Sequence, residues 1–181
     1  MSEASSVDTV EFAEAEPLLG AAARVEVDLG ALSDQGKVRP NNEDHFLVVR
    51  FERSLQSLLT NLPPGCVPQH AAETGYGLLV ADGMGGHAGG AVASRNAISI
   101  LLELALRTPD WIFHLDEPHA KEVLARMEQR FHRIHEVLSA QGRMDPSLAR
   151  MGTTLTLACS LGRDLLIVHV GDSRVYLFRQ G

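Results

Sequence analysis

The sequence predicts an α+β domain of mostly antiparallel sheets with helices packed outside them. Strand-like runs dominate both ends of the chain, two long helical patterns lie between them, and the order never settles into the strict strand-helix alternation of a parallel sheet. At 181 residues the chain has the length of about one domain on a scale of roughly 100–200 residues each.

Residues 1–23 are rich in Ala, Ser and Glu, and read as a mobile acidic tail preceding a domain over 24–181. Val25 to Leu29 alternates like a half-buried strand, Ser33 to Glu43 is a polar loop, and Asp44 to Phe51 is a second strand rich in Phe and Val. Residues 52–75 contain Pro63-Pro64-Gly65 and Pro68, and read as a long surface connection, an insertion with one helical turn. Tyr76 to Ala81 is a third strand. Beyond the glycines that follow it, Val92, Ala93, Ala97, Ile100, Leu101 and Leu104 keep helical spacing until Thr108-Pro109. Asp116 is placed to cap a second helix with Pro118 in its first turn. Its apolar stripe is Val123, Leu124, Met127, Phe131, Ile134 and Leu138, ending before Gly142. Thr153 to Ser160, Leu165 to Val170 and Val175 to Phe178 then read as strands, the last two joined through Gly171-Asp172-Ser173-Arg174. Gly181 follows that hairpin with no capping segment, so the domain is expected to be incomplete at its C-terminus.

Composition narrows the function classes. A net charge of −7 argues against a nonspecific nucleic-acid grip. The longest apolar stretch, Ala97 to Leu106, is broken by Glu103 and is shorter than the roughly 20 residues that span a bilayer, so no membrane partner is expected. The N-terminal stretch is acidic, with no basic residue before Arg24, the reverse of a secretory or mitochondrial leader, and the expected location is cytoplasmic. Cys66 and Cys159 form neither a CxxC pair nor a disulfide framework and read as reduced thiols.

The chemistry concentrates at Leu78-Leu79-Val80-Ala81-Asp82-Gly83-Met84-Gly85-Gly86, where one carboxylate sits between an apolar strand and a glycine cluster that opens a helix. An acid there, beside bare backbone whose carbonyl can approach an ion, suits a cation; the alternative is a plain turn with an incidental acid. The same glycines fit G-x-G-x-x-A, but the acid this dinucleotide fingerprint needs on the next strand is absent, since Glu103 falls mid-helix, and Asp82 would repel a pyrophosphate. Arg39-Pro40-Asn41-Asn42-Glu43-Asp44 sets a guanidinium able to clamp an oxyanion before two adjacent acids, although alone it reads as a solvated loop. Gly171-Asp172-Ser173-Arg174 alone is a β-turn. His132 and His135 have i, i+3 spacing without the H-E-x-x-H pattern and read as solvated-face residues, and His87 reads as a helix-start residue.

Taken in order, Ser33-Asp34-Gln35-Gly36-Lys37-Val38-Arg39 with Asn42-Glu43-Asp44, then Val80-Ala81-Asp82-Gly83-Met84-Gly85-Gly86, then Met151-Gly152-Thr153-Thr154-Leu155, then Val170-Gly171-Asp172-Ser173-Arg174-Val175-Tyr176, resemble the metal-dependent, type 2C (PPM-type) serine/threonine protein phosphatases, bacterial members especially. The resemblance implies a four-layer αββα fold, a β-sandwich of two mostly antiparallel sheets flanked by helices. It also implies two Mn²⁺ or Mg²⁺ ions in a cleft at one end. Asp82 would bridge both ions, Gly83 would lend its carbonyl to one, and Glu43 and Asp44 would hold ion-bound waters or coordinate at longer range. Arg39 would bind the substrate phosphate, and Asp172 would join a third, weaker metal site or brace the others. Animal relatives carry His at the position of Met84, and the family draws further metal-binding aspartates from segments beyond the final hairpin.

The implied reaction is hydrolysis of phosphoserine and phosphothreonine on proteins by a metal-activated water, in opposition to a cognate serine/threonine kinase. The rival reading is a noncatalytic phosphatase-like module that binds a phosphoprotein or kinase and keeps only a remnant metal site.

Overall fold

The structure, a computed structural model, describes residues 27–85, 89–107, 117–161 and 164–179. Its centre is an antiparallel sheet of β1 (Asp44–Gln56), β2 (His70–Met84), β3 (Gly152–Thr153), β4 (Leu155–Leu161) and β5 (Asp164–Val170). The strand order is β1-β2-β4-β5, with β3 pairing on β2. Two helices, α1 (Gly89–Arg107) and α2 (Glu117–Met144), connect β2 to β3.

β1 and β2 form a long two-stranded ribbon whose register runs from Asp44 opposite Asp82 to Gln56 opposite His70. The expected connection over 52–75 is therefore strand at both ends, 52–56 and 70–75, and only 57–69 links the two. Those flanks lack the apolar alternation that marks a half-buried strand. Backbone pairing holds them instead, together with an ion pair between Arg53 and Glu73, which are cross-strand partners. Ser57 closes the ribbon by donating from its amide to the Gln69 carbonyl at 3.0 Å and from its hydroxyl to the Pro68 carbonyl at 2.8 Å.

The core lies between one face of the sheet and α1. Leu79, Ala81, Leu155 and Leu157 meet Ala93, Ala97, Ile98 and Leu101, and the alanines let the helix approach the strands closely. Burial of a side chain such as Leu101, which is 3% exposed, contributes about 1.5–3 kcal/mol. α2 packs on α1, adding Ile134 and Leu138 to this core with Met127 and Phe131 at its margin. Leu124, expected in the stripe, is 47% exposed, because a neighbour of Val123 in sequence is turned about 100° around the helix from it. α2 also runs through Gly142 to Met144. It gives way to a short 3₁₀ turn, Pro146–Leu148, where the Asp145 side chain accepts from the Ser147 amide. The expected cap Asp116 lies outside the described residues.

α1, at 19 residues, is long and apolar enough by length and composition to cross a bilayer. Its buried residues nonetheless form the domain core against the sheet.

Antiparallel strands with two helices agree with the expected α+β class, but the described residues form one sheet rather than both layers of a sandwich. Two segments expected to be strands do not pair. Val27 and Leu29, the described part of the first, are 38% and 39% exposed and have no ladder. Val175 to Phe178 leaves β5 without forming the expected hairpin, and Tyr176 and Phe178 are 80% and 88% exposed. Strand propensity supplies no partner by itself, and the turn at Gly171 carries the chain across the end of β4.

Candidate active site

The site forms where β1 begins, β2 ends and α1 starts. Asp44 and Asp82 are direct cross-strand partners, so their side chains rise side by side on one face. Like charges so placed are unfavourable, and the Asp82 carboxyl is held above the usual carboxylate range. Partial burial at the strand end contributes most, followed by the charge of Asp44, the Asp82–Asp44 side-chain hydrogen bond and the charge of Asp172; Arg39 acts in the opposite sense. Three carboxylates thus share one field with a single guanidinium reaching into it.

Glu43, the residue before Asp44, has a different task. Its carboxylate, 9% exposed, is 3.8 Å from Nη1 of Arg39. It lies over Gly90 in the first turn of α1, close enough that a Cβ there would stand 2.7 Å from the carboxyl carbon. A negative charge at a helix N-terminus is favourable. The Glu43 carbonyl accepts from the Gly83 amide at 3.2 Å and from the Ser94 hydroxyl at 2.6 Å, so this residue ties β1, β2 and α1 into one joint. The Ser94 hydroxyl, fully buried, also contacts His45 Nδ1 at 2.9 Å.

Arg39 itself is 71% exposed, but its loop is braced. Gln35 Nε2 donates to the Arg39 and Pro40 carbonyls at 3.1 and 2.8 Å. Asn42 donates to the Ser33 hydroxyl at 2.6 Å and accepts from the Asp44 amide at 3.0 Å. The guanidinium therefore points from a preformed loop toward the carboxylates, open to an incoming anion.

Asp172 enters from the end of β5. Gly171 has φ of 112°, in the left-handed region that favours glycine. His169 spans Thr156 and the turn: its Nδ1 is 2.9 Å from the Thr156 hydroxyl, and its Nε2 is 2.9 Å from the Gly171 carbonyl, which can only accept.

Arg39, Glu43, Asp44, Asp82, Gly83 and Asp172, distant in sequence, are thus brought to one end of the sheet. Among the described residues no three His, Cys, Asp or Glu side chains converge closely enough to hold an ion alone. Asp82 and Asp44 still fit a hard divalent cation: two adjacent oxygen donors, one with its ionised form disfavoured, are what a bound positive charge would relieve. His132 and His135 are exposed on α2, the former 3.8 Å from Glu128, in agreement with their reading as solvated residues. His87 lies outside the described residues.

The sequence reading assigned no individual role to Thr153, Thr154, Ser173 or Ser94. Thr154 and Ser94 are 1% and 0% exposed, and both bond the strand ends that carry the acids. The run Gly152-Thr153-Thr154 opening a strand was the available signal.

Residues 69–181 match the protein phosphatase 2C family. The chain belongs to that family. This phosphatase 2C chain is 36% identical over 152 residues to the serine/threonine protein phosphatase PstP of Mycobacterium tuberculosis, covering 83% of itself and 23% of PstP. It is 31% identical to the serine/threonine phosphatase stp of Listeria innocua, over 81% of its own length and 48% of that protein. The solved serine/threonine phosphatase of S. agalactiae superposes with a TM-score of 0.53 at 24% identity, covering 79% of this chain and 48% of that one. The phosphatase 2C chain therefore spans about a quarter of PstP and about half of the Listeria relative.

Proposed function

We propose that this chain supplies the phosphate-binding arginine and several metal-binding carboxylates of a protein-serine/threonine phosphatase. The observation that carries this reading is the cross-strand pair Asp44–Asp82, with Asp172 and Arg39 acting on the same carboxyl. Acids and a guanidinium in one place match the two halves of a phosphate ester hydrolysis site, one for the cation and one for the anion. Family membership supports the same chemistry.

In this reading Asp82 and Asp44 would hold Mn²⁺ or Mg²⁺, with the Gly83 carbonyl and the Asp172 carboxylate as further oxygen donors. A bound divalent cation of this kind neutralises phosphoryl charge and lowers the pKa of water. Arg39 clamps two phosphate oxygens and orients phosphorus for in-line attack, with the Gln35 and Asn42 bonds limiting the loop's freedom before substrate arrives. Glu43 neutralises part of the Arg39 charge and anchors the loop to α1. The substrates are phosphoserine and phosphothreonine on proteins, the opposing enzyme is a cytoplasmic serine/threonine kinase, and the domain begins after the acidic stretch 1–23.

The test is phosphate release from phosphothreonine peptides by the full-length protein with Mn²⁺. Wild type is expected to turn over and Asp82→Asn to lose at least about a hundredfold in rate; retained activity in the variant would reject the reading. A second reading, a noncatalytic phosphoprotein-binding module with a remnant metal site, is favoured by the absence of three convergent ligands among the described residues. Capture of a phosphopeptide through Arg39 without turnover would support it.

A further inference from the structure

Thr154 occupies an unusual place in the ladder between β2 and the strands that follow α2. Val80 pairs with Thr156, and Gly83 with Thr153, so Asp82 and Thr154 face each other in the same register. Half of that pairing is regular: the Thr154 amide donates to the Asp82 carbonyl at 2.9 Å. The other half is not. The Asp82 amide takes the Thr154 hydroxyl at 3.0 Å instead of the Thr154 carbonyl, which accepts from the Thr153 hydroxyl at 2.8 Å. The Thr153 hydroxyl also lies 3.0 Å from the Asp82 carbonyl.

This rotation separates β3 from β4 and turns the Thr154 hydroxyl into a junction. Having accepted one hydrogen bond from Asp82, that hydroxyl meets the Ser173 hydroxyl at 2.7 Å, one residue beyond Asp172. The other side of the same side chain forms the floor under the turn. A Cβ on Gly171 would stand 2.6 Å from Thr154 Cγ2, so the methyl group and the bare glycine fit face to face. One side chain, 1% exposed, therefore touches the residue before Asp172, bonds the residue after it, and holds the main chain of Asp82.

We propose that Thr154 is a positioning residue that sets the Asp172 turn against the Asp82 strand end, its hydroxyl standing in for a ladder carbonyl so as to join both carboxylate carriers. This rests on the phosphatase reading for what the carboxylates bind. Serine retains the hydroxyl and loses only the methyl, whereas valine retains the shape, takes from the part-buried Asp82 amide its Thr154 acceptor and removes the link to Ser173. Outer-shell partners of metal ligands typically change affinity about 10- to 100-fold when removed.

The experiment is direct Mn²⁺ titration of the full-length protein, by calorimetry or by the electron-spin-resonance signal of free Mn²⁺, for Thr154→Val, Thr154→Ser, Ser173→Ala and the Val/Ala double variant. Thermal melting checks each fold. Thr154→Val is expected to weaken Mn²⁺ binding at least about tenfold, Thr154→Ser by less than about threefold, and Ser173→Ala by an intermediate factor. The double variant is expected to bind no more weakly than Thr154→Val, since both substitutions break one link. The KM for a phosphothreonine peptide stays within about twofold, because the Arg39 loop is not touched. A folded Thr154→Val protein with wild-type Mn²⁺ affinity, or additive losses in the double variant, overturns the proposal. Should Thr154→Val fail to fold, Ser173→Ala decides alone: weakened binding supports the link and unchanged binding overturns it. Asp82→Asn keeps the two claims apart, since activity surviving that change sinks the phosphatase reading whatever Thr154 does.

Discussion

The joint at Gly83 gives the sharpest quantitative prediction, for Gly83→Ala. A Cβ at this position would lie 2.2 Å from the Gly90 carbonyl oxygen, 2.4 Å from the Gly90 carbonyl carbon and 2.7 Å from the Glu43 carbonyl oxygen. All three are backbone atoms, so no side chain can swing aside. Restoring ordinary contact requires β2 and α1 to part by about 1 Å. That displacement breaks the Gly83 amide bond to the Glu43 carbonyl, already 3.2 Å long, and loosens the Ser94 hydroxyl bond to the same oxygen. Two hydrogen bonds at about 1 kcal/mol each, added to about 1–3 kcal/mol for overpacking, give a loss of about 3–5 kcal/mol. Urea unfolding of the full-length protein measures it. Gly77→Ala on the same strand is the control: its Cβ would meet side-chain methyls alone, Val49 Cγ2 at 3.1 Å and Leu79 Cδ1 at 3.9 Å, and the expected loss is below about 1.5 kcal/mol. A Gly83→Ala loss under about 1 kcal/mol, or one equal to that of Gly77→Ala, would refute the close-approach argument.

Other outcomes follow from the same geometry. Asp82→Asn is expected to abolish phosphatase activity while leaving the metal-free protein no less stable, because it removes a charge that burial and Asp44 disfavour; parallel melting curves and phosphate-release assays check both halves. Ser94→Ala, which deletes a fully buried hydroxyl bonded to the Glu43 carbonyl, is expected to lower unfolding free energy by about 1–2 kcal/mol in urea titration. Leu101→Ala, in the core between α1 and the sheet, is expected to lose about 2–5 kcal/mol by the same measurement. Exposed Cys66 is expected to react rapidly with a thiol reagent at pH 8 and Cys159 slowly, since burial pushes the Cys159 thiol up to about 11. With the folded value above the unfolded one, this stabilising contribution is complete below about pH 9 and is lost as pH rises through about 11, so Cys159→Ala should flatten the alkaline decline in stability.

The sequence by itself determined the parts of this protein that depend on local pattern. Helical spacing marks α1 and most of α2, apolar runs mark the central strands, and three of the four short signatures carry Arg39, Glu43, Asp44, Asp82, Gly83 and Asp172. Tertiary structure decided what local pattern does not contain. The ends of the β1–β2 ribbon are strand because each residue has a partner across the ladder, while Val175 to Phe178, richer in strand formers, has no ladder partner among the described residues and is not strand. Thr153 and Thr154 read as ordinary strand residues. Only the register that sets Thr154 opposite Asp82, and the turn that brings Ser173 to its other side, makes that hydroxyl a junction between two acids 90 residues apart in the chain. Periodicity reports which face a residue presents. Which atoms meet there depends on pairing between distant segments, and only the folded chain fixes that pairing.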